Sequence, residues 1–130
     1  MKRVYSLKTK KNFQEVFKRG KRLNERSLQI MVLKYIENDN EVHARKGTSL
    51  NSYSKLKIGI PISRNYGKAV ERNKTRRRIK AICSEFLSEL EESNYIIIRP
   101  FKGFKNLTYL HEKEIIKKLF KKANILSKDS

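Results

Sequence analysis

Residues 69 to 92 carry the pattern that most limits how this chain folds. The second half of the segment repeats apolar residues at helical spacing, which form one continuous stripe: Ile79, Ile82, Cys83, Phe86, Leu87 and Leu90. The first half contains a dense run of basic residues: Arg72, Lys74, Arg76, Arg77, Arg78 and Lys80. The pattern predicts one helix over 69–92. Because the apolar stripe begins only at Ile79, the charged half is expected to extend past the core.

The net charge of the chain favours a polyanionic partner. Its 130 residues include 32 Lys and Arg against 13 Asp and Glu, a formal charge of +19. Self-repulsion at this charge destabilises a compact state, so nucleic acid is the first candidate partner and an anionic membrane surface the second. The length suits one domain, residues 1–130.

Targeting and redox signals favour the cytoplasm. No apolar run approaches the roughly 20 residues that span a bilayer, and the basic start MKRVYSLKTKKNFQ has no apolar segment behind it. The single cysteine, Cys83, makes no internal disulfide and is predicted to be a small buried hydrophobe on the helical stripe. We therefore predict a cytoplasmic protein with no membrane partner and no protein partner.

Helices and strands alternate along the chain. Helices are predicted at 9–19, 69–92 and 108–126. Strands are predicted at 27–36, 55–62 and 94–100. The remaining segments are a long polar loop, residues 37–54, and a frayed C-terminal tail, residues 124–130. This order predicts an α+β sandwich built on a small sheet.

Single residues indicate three of these element boundaries and the buried side of the last helix. Thr9 or Asn12 is expected to cap the first helix, and Gly20 to end it. Pro61 argues for a strand end or a sheet edge, since proline has no N–H to donate to a neighbouring strand. Leu110 is predicted to face inward on the last helix.

Five of the polar residues in the basic segment share one side of the predicted helix. At about 100° per residue they fall within an arc of roughly 140°: Arg72, Asn73, Arg76, Arg77 and Lys80. We call this set the basic stripe. Lys74 and Arg78 point elsewhere. Charged helix faces are often merely solvated, but such faces mix signs, and here only Glu71 precedes Glu85. Arginine binds phosphate through two parallel hydrogen bonds, so the stripe favours a nucleic-acid backbone.

The segment IGIPISRNYGKAVERNKTRRRIK resembles the signature of the protein subunit of bacterial ribonuclease P. The positions that match the family pattern outright are Gly67, Ala69, Val70, Arg72, Asn73 and Arg77. The charge-preserving replacements are Lys74, Arg76 and Lys80, and the departures are Pro61, Lys68 and Arg78. LKTKKNFQEVFKRG resembles the family's first helix and NYIIIRP its last strand. The likeness covers the chain except residues 37–54.

The resemblance implies a fold and a division of labour. The fold is a small αβββαβα two-layer sandwich with a four-stranded sheet, a left-handed crossover around the basic helix, and a short edge strand at Lys21 to Glu25. The family's catalyst is an RNA, which holds the Mg²⁺ ions that activate water. The protein binds that RNA and the 5′ leader of precursor tRNA, and it assists endonucleolytic removal of the leader. The implied RNA-binding residues are Arg64, Lys68, Arg72, Asn73, Lys74, Arg76, Arg77 and Lys80.

The resemblance also places a leader cleft between the first helix and the sheet. Phe13 and Phe17 lie one turn apart, and their spacing alone is equally consistent with core packing. In the cleft their rings would stack on bases without reading sequence. Met31 sits where the family often has an aromatic residue, and there it would offer apolar contact.

Three other functions compete with this interpretation. A stand-alone nuclease needs its own acid, base or metal ligands, and the sequence offers only His43 and His111, with no clear metal spacing among the acids. We therefore expect no catalytic residue, no metal site and no cofactor held by the protein alone. A structural RNA-binding protein of ribosomal type is the stronger alternative, and composition alone does not distinguish it from the subunit of a catalytic RNA. DNA binding is third, since helix-turn-helix cues are absent from the sequence.

Overall fold

The structure, a computed structural model, describes residues 5–34, 56–91 and 94–126. Its main elements run in the order α1 (Lys10–Arg19), β1 (Lys21–Glu25), β2 (Leu28–Lys34), β3 (Lys57–Gly59), α2 (Ala69–Phe86), β4 (Asn94–Pro100) and α3 (Tyr109–Lys122). This order confirms the predicted α+β class and the αβββαβα sequence of elements. The predicted polar loop, residues 37–54, lies outside the described residues, and so does His43.

Helix α1 begins and ends where its sequence indicates. The Thr9 Oγ1 accepts a hydrogen bond of 3.2 Å from the N–H of Asn12, which confirms Thr9 as the cap. The Gly20 N–H donates to the Val16 carbonyl at 2.8 Å and closes the last turn. The chain then enters β1 directly, so the position of α1 is fixed by its short connection to the sheet.

The four strands form one sheet in the order β1-β2-β4-β3. β1 and β2 are antiparallel, as are β2 and β4, whereas β3 runs parallel to β4. β1 is the predicted edge strand. β3 ends at Gly59 and is shorter than the predicted strand 55–62, because the chain reaches Pro61, which has no N–H to donate. Helix α2 makes the crossover between the parallel pair β3 and β4, and the left hand of that crossover stays a prediction.

Strand alternation divides the core between the two faces of the sheet. On one face Ile30, Ile96 and Ile98 join the buried residues of α2 and α3 in the larger cluster. On the other face Met31 and Ile97 pack with Leu7 of the N-terminal segment and Val16 of α1. Helices α2 and α3 thus form the predicted second layer, and α1 adds partial cover on the opposite face.

Two helices end earlier than their apolar patterns indicate. Helix α2 ends at Phe86 rather than at residue 92, and Leu90 instead forms an isolated bridge with Leu126. The Glu91 N–H also donates to the Ile125 carbonyl at 2.9 Å. Contact between these two helix ends therefore replaces the last predicted turns. The predicted frayed tail begins too early, because Ile125 and Leu126 are buried; residues 127–130 lie outside the described residues.

The inward orientation predicted for Leu110 is wrong. Its side chain is 69% exposed, whereas Ile116, Leu119 and Phe120 of the same helix are fully buried. Leu110 lies about 120° around the helix from Ile116, away from the buried stripe. Thr108 caps the helix by accepting a hydrogen bond of 3.2 Å from the N–H of His111. Leu110 lies in this first turn, on its solvent side.

Candidate RNA interface

Two aromatic rings lie between α1 and the sheet, at the position predicted for the leader cleft. The rings of Phe13 and Phe17 are 6.5 Å apart and inclined by 29°. Phe13 lies directly on the backbone of Gly59 in β3, where an added Cβ would come within 2.6 Å of its Cζ. Both rings are partly buried, so each packs on the sheet and also presents surface to solvent. The structure thus shows partial core packing for both rings, and their contact with a leader stays a prediction.

Met31 does not line this cleft. Its side chain is fully buried beneath α1, where it packs with Val16 and Ile97. The assignment of Met31 to direct contact is therefore corrected: it supports the floor of the cleft. Burial follows from register, because Met31 pairs with Ile97 in the middle of the sheet, under the helix.

Sequence reasoning missed two other side chains beside the cleft. Leu33 and Tyr95 are paired across β2 and β4, are partly buried, and pack against the same cluster as Phe13 and Phe17. Leu33 follows Met31 by two residues, so strand alternation would have placed both on one face. The pairing with Tyr95 depends on register, which the sequence does not specify.

The turn before α2 is held from within and presents two cations. The Tyr66 hydroxyl is 2.8 Å from the Thr75 Oγ1 in a buried hydrogen bond. The Glu71 carboxylate accepts from the Lys68 N–H at 3.2 Å, and it pairs with Lys105 at 3.0 Å. These contacts hold the pKa of Glu71 below its ordinary value, with the Lys105 hydrogen bond as the largest cause. Arg64 and the Lys68 side chain stay exposed beside the helix start.

The basic stripe divides into residues that face solvent and residues that also bind the fold. Asn73 and Arg77 are exposed, and so is Lys74, whereas Arg72, Arg76 and Lys80 are partly buried. The Arg72 Nη1 donates to the Gly67 carbonyl at 2.8 Å. The Arg76 Nε donates to the Ile60 carbonyl at 3.4 Å, and its Nη1 donates to the Asn73 Oδ1 at 3.2 Å. Each guanidinium has five N–H donors, so both arginines keep donors for an external phosphate.

Arg78 leaves the stripe, as predicted, and pairs with α3. Its Nε lies 2.9 Å from the Glu112 Oε1, and the Glu112 side chain is fully buried. Neither carboxylate oxygen accepts a well-formed hydrogen bond from the described residues. Lys74, Thr75, Arg78 and Lys105 line a small cavity of about 180 Å³ on this side of α2. Arg78 therefore belongs to the contact between helices rather than to the exposed surface.

Burial should make stability depend on the protonation of Glu112. Desolvation raises the pKa of Glu112 from 4.5 to about 7, although Arg78 opposes the shift. Between these values the unfolded chain releases its proton more readily than the folded one, so unfolding free energy falls as pH rises. The variant Glu112→Gln has no titrating carboxyl group at this position. As pH rises from 4.5 to 8, the unchanged protein should lose up to about 3 kcal/mol of unfolding free energy through this group, and the variant should not show this loss.

Denaturant unfolding at pH 5 and pH 8 checks this expectation. A constant offset between the variant and the unchanged protein at both pH values would contradict it. The comparison isolates Glu112, since every other titrating group is common to both chains.

Among the described residues, one acid is held by lysines and the thiol is buried. Within the described ranges, no three His, Cys, Asp or Glu side chains lie close enough to hold a metal ion. Glu25, for example, is bound by Lys118 at 3.3 Å and Lys122 at 3.2 Å, which lower its pKa. Cys83 is buried as predicted, and desolvation raises its thiol pKa to about 12.

His111 is exposed at the start of α3. It lines a cavity of about 310 Å³ with Glu25, Glu114 and Lys118.

None of the described helices is both long and apolar enough to cross a bilayer. Exposed basic side chains lie on α2 and on the turn before it, and also on α1 and α3.

Comparisons with known proteins identify the family and support the fold. The family model Ribonuclease P matches residues 1–124. The chain is 29% identical over 130 residues to the ribonuclease P protein component of Geobacillus sp. (strain WCH70), covering 99% of this chain and 98% of that protein. It is 32% identical over 126 residues to the corresponding component of Phytoplasma australiense, covering 97% and 96%. The solved RNase P protein of Staphylococcus aureus matches with a TM-score of 0.75 at 21% identity, covering 95% of this chain and 98% of that one.

These matches span nearly the whole chain and include the turn and helix that carry the exposed cations. The α+β fold with its four-stranded sheet agrees with that of the solved protein. The signature around the basic stripe, the fold and the family match thus coincide in one assignment: the chain belongs to the bacterial ribonuclease P protein family.

Proposed function

We propose that this chain binds two RNAs through two separate surfaces. The exposed side of α2, with the turn before it, binds the catalytic RNA of ribonuclease P. The cleft between α1 and the sheet binds the 5′ leader of precursor tRNA. The observation that carries the proposal is the placement of the cations and the aromatic cleft on different elements of one small domain.

The first surface suits a folded RNA backbone. Arg64, Lys68, Lys74 and Arg77 are exposed on the turn and on α2. Fixed cations on a rigid helix neutralise phosphates and release condensed counterions, which makes affinity high and dependent on salt. Asn73 adds an amide beside them for a base or ribose edge.

The second surface suits a single strand. Two stacked rings with partial exposure provide platforms for bases, and such stacking tolerates any sequence because every base has an aromatic face. A platform of this kind would bind leaders without selecting among their sequences. Leu33 and Tyr95 extend the apolar border of the cleft.

Hydrolysis is assigned to the RNA partner. Mg²⁺ ions, held mainly by the catalytic RNA, would supply the activated water for removal of the leader. The chain's contribution is to hold the leader and the catalytic RNA in one assembly, which lowers the entropy cost of bringing them together. The chain thus acts as the protein subunit of an endoribonuclease in the cytoplasm.

The protein alone should not cleave precursor tRNA. With Mg²⁺ present and the catalytic RNA removed by nuclease treatment and purification, we expect intact precursor after times at which the holoenzyme has finished. Gel analysis of end-labelled precursor measures this directly. Site-specific cleavage at the mature 5′ end by RNA-free protein would overturn the proposal.

Recovery of the bound RNA separates the proposal from its main alternative. A structural protein of ribosomal type would retain ribosomal RNA when purified from cells under native conditions. We expect ribonuclease P RNA and precursor tRNA instead. Sequencing of the retained RNA decides between them.

A further inference from the structure

The RNA-facing half of α2 is held mainly by polar contacts. Buried apolar residues on this helix begin at Ile79, and the only buried side chain before it is that of Thr75. The first half is attached through Thr75 to Tyr66, and through Arg72 and Arg76 to backbone carbonyls. These contacts reach the turn before the helix and the end of β3, but not α3.

Farther along α2, Glu85 accepts hydrogen bonds from Tyr109 and Lys113 of α3, and the Phe86 ring packs on Phe120. The attachment to α3 that lies nearest to the RNA-facing half is the ion pair of Arg78 and Glu112. Its 2.9 Å distance joins the middle of α2 to the first turn of α3. Among the described residues, Glu112 is the only acid whose side chain is fully buried. A buried carboxylate without a cation is strongly destabilising, so the pair favours arrangements of the two helices that keep it together.

The position of Arg78 on the helix connects this contact to the exposed surface. Arg77 precedes it by one residue, about 100° around the helix, and is exposed. A rotation or tilt of α2 that breaks the ion pair therefore also redirects Arg77, and Asn73 one turn earlier. Arg78 itself is only 26% exposed and is directed toward α3, which makes it a poor external contact.

We infer that Arg78 is a positioning residue, whose ion pair with Glu112 fixes the orientation of α2 on α3 and thereby aims the exposed residues at the catalytic RNA. The inference rests on the proposed function. It assigns one arginine of the basic run to the fold, although composition groups it with the others.

Replacement of either partner by an apolar residue tests the inference. Arg78→Met leaves Glu112 without its cation, and we expect affinity for a transcribed ribonuclease P RNA to fall about two- to thirtyfold. Glu112→Leu should also weaken binding, although it makes the protein more positive. A direct phosphate contact by Arg78 predicts the opposite for Glu112→Leu, namely unchanged or tighter binding.

The double variant Arg78→Met/Glu112→Leu sharpens the distinction. Well-packed apolar pairs often replace buried ion pairs without loss of stability, so the double variant should recover most of the affinity. Arg77→Met is the matched control, since it removes the same charge one residue away. It should lower the slope of log affinity against log salt by about 0.7 to 0.9, whereas Arg78→Met should leave the slope unchanged.

Filter binding at pH 8 over a salt series, with circular dichroism to confirm folding, measures all four variants. A reduced salt slope in Arg78→Met without recovery in the double variant would overturn the positioning role, as would full affinity in Glu112→Leu. If Arg78→Met does not fold, Glu112→Leu and the double variant still decide. An unchanged affinity in Arg77→Met would instead count against the proposed RNA surface on α2.

Discussion

Alanine at both Lys74 and Arg77 is expected to weaken binding to ribonuclease P RNA by about a hundredfold or more. Both side chains are exposed on α2. A hydrogen bond to a charged group contributes about 1.5 to 3 kcal/mol, so losing two such contacts costs at least about 3 kcal/mol. The slope of log affinity against log salt should fall by about 1.4 to 1.8, because two phosphate contacts are lost. Filter binding across a salt series measures both quantities.

A double change on α3 provides the control. Alanine at Lys117 and Lys121 removes the same charge from exposed positions on another helix. We expect a small loss of affinity and little change in slope. Equal losses in the two double variants would mean that binding reflects total charge alone, and that the α2 surface is merely solvated.

Alanine at Arg72 or Arg76 should have a mixed effect. These guanidinium groups donate to the carbonyls of Gly67 and Ile60, so their loss also loosens the start of α2. Affinity for the RNA and unfolding free energy should then fall together. For this reason the exposed pair Lys74 and Arg77 gives the cleaner measurement.

Phe17→Ala is expected to weaken precursor tRNA binding to the holoenzyme by about five- to a hundredfold, which corresponds to one stacked base at 1 to 3 kcal/mol. Mature tRNA lacks the leader, so its binding should barely change. Affinity of the variant for the catalytic RNA should also stay near that of the unchanged protein, since Phe17 lies on α1 rather than α2. Equilibrium binding of the two tRNAs to the reconstituted holoenzyme tests the difference.

Val16→Ala separates stacking from packing. Val16 is the neighbour of Phe17 on α1 and is fully buried, so its truncation loosens the same helix without removing a ring. We expect a lower melting temperature and similar relative effects on precursor and mature tRNA. If Phe17→Ala behaves in the same way, with equal losses toward both tRNAs, Phe17 belongs to the core and not to the leader surface.

Local patterns predicted the three helices and three of the four strands in order, whereas β1 was expected only from the family resemblance. The cap at Thr9, the end at Gly20 and the strand of Asn94–Pro100 are all encoded within a few residues of themselves. The ends of α2 and α3 are not encoded by the residues close to them. The residues after each helix remain apolar at helical spacing, and only the contact between Leu90 and Leu126 shows that they leave the helix.

The sequence predicted which residues make up the candidate site better than it predicted how their side chains are oriented. Helical periodicity separated Arg78 from the basic stripe, but its partner Glu112 lies on another helix, and nothing local marks that glutamate as buried. Met31 was misassigned because likeness to a family position says nothing about local burial. Its register opposite Ile97 places it under α1, and register depends on pairing across the sheet.

The central claim is that this chain serves a catalytic RNA in tRNA 5′ maturation. Its most direct test is reconstitution of a bacterial ribonuclease P RNA with the protein at a low Mg²⁺ concentration, where the RNA alone cleaves slowly. We predict that the protein strongly accelerates cleavage of precursor tRNA at the mature 5′ end, and that the Lys74 and Arg77 double variant needs a higher protein concentration for the same effect. Absence of stimulation by folded protein that binds the RNA, or cleavage at other positions, would contradict the account.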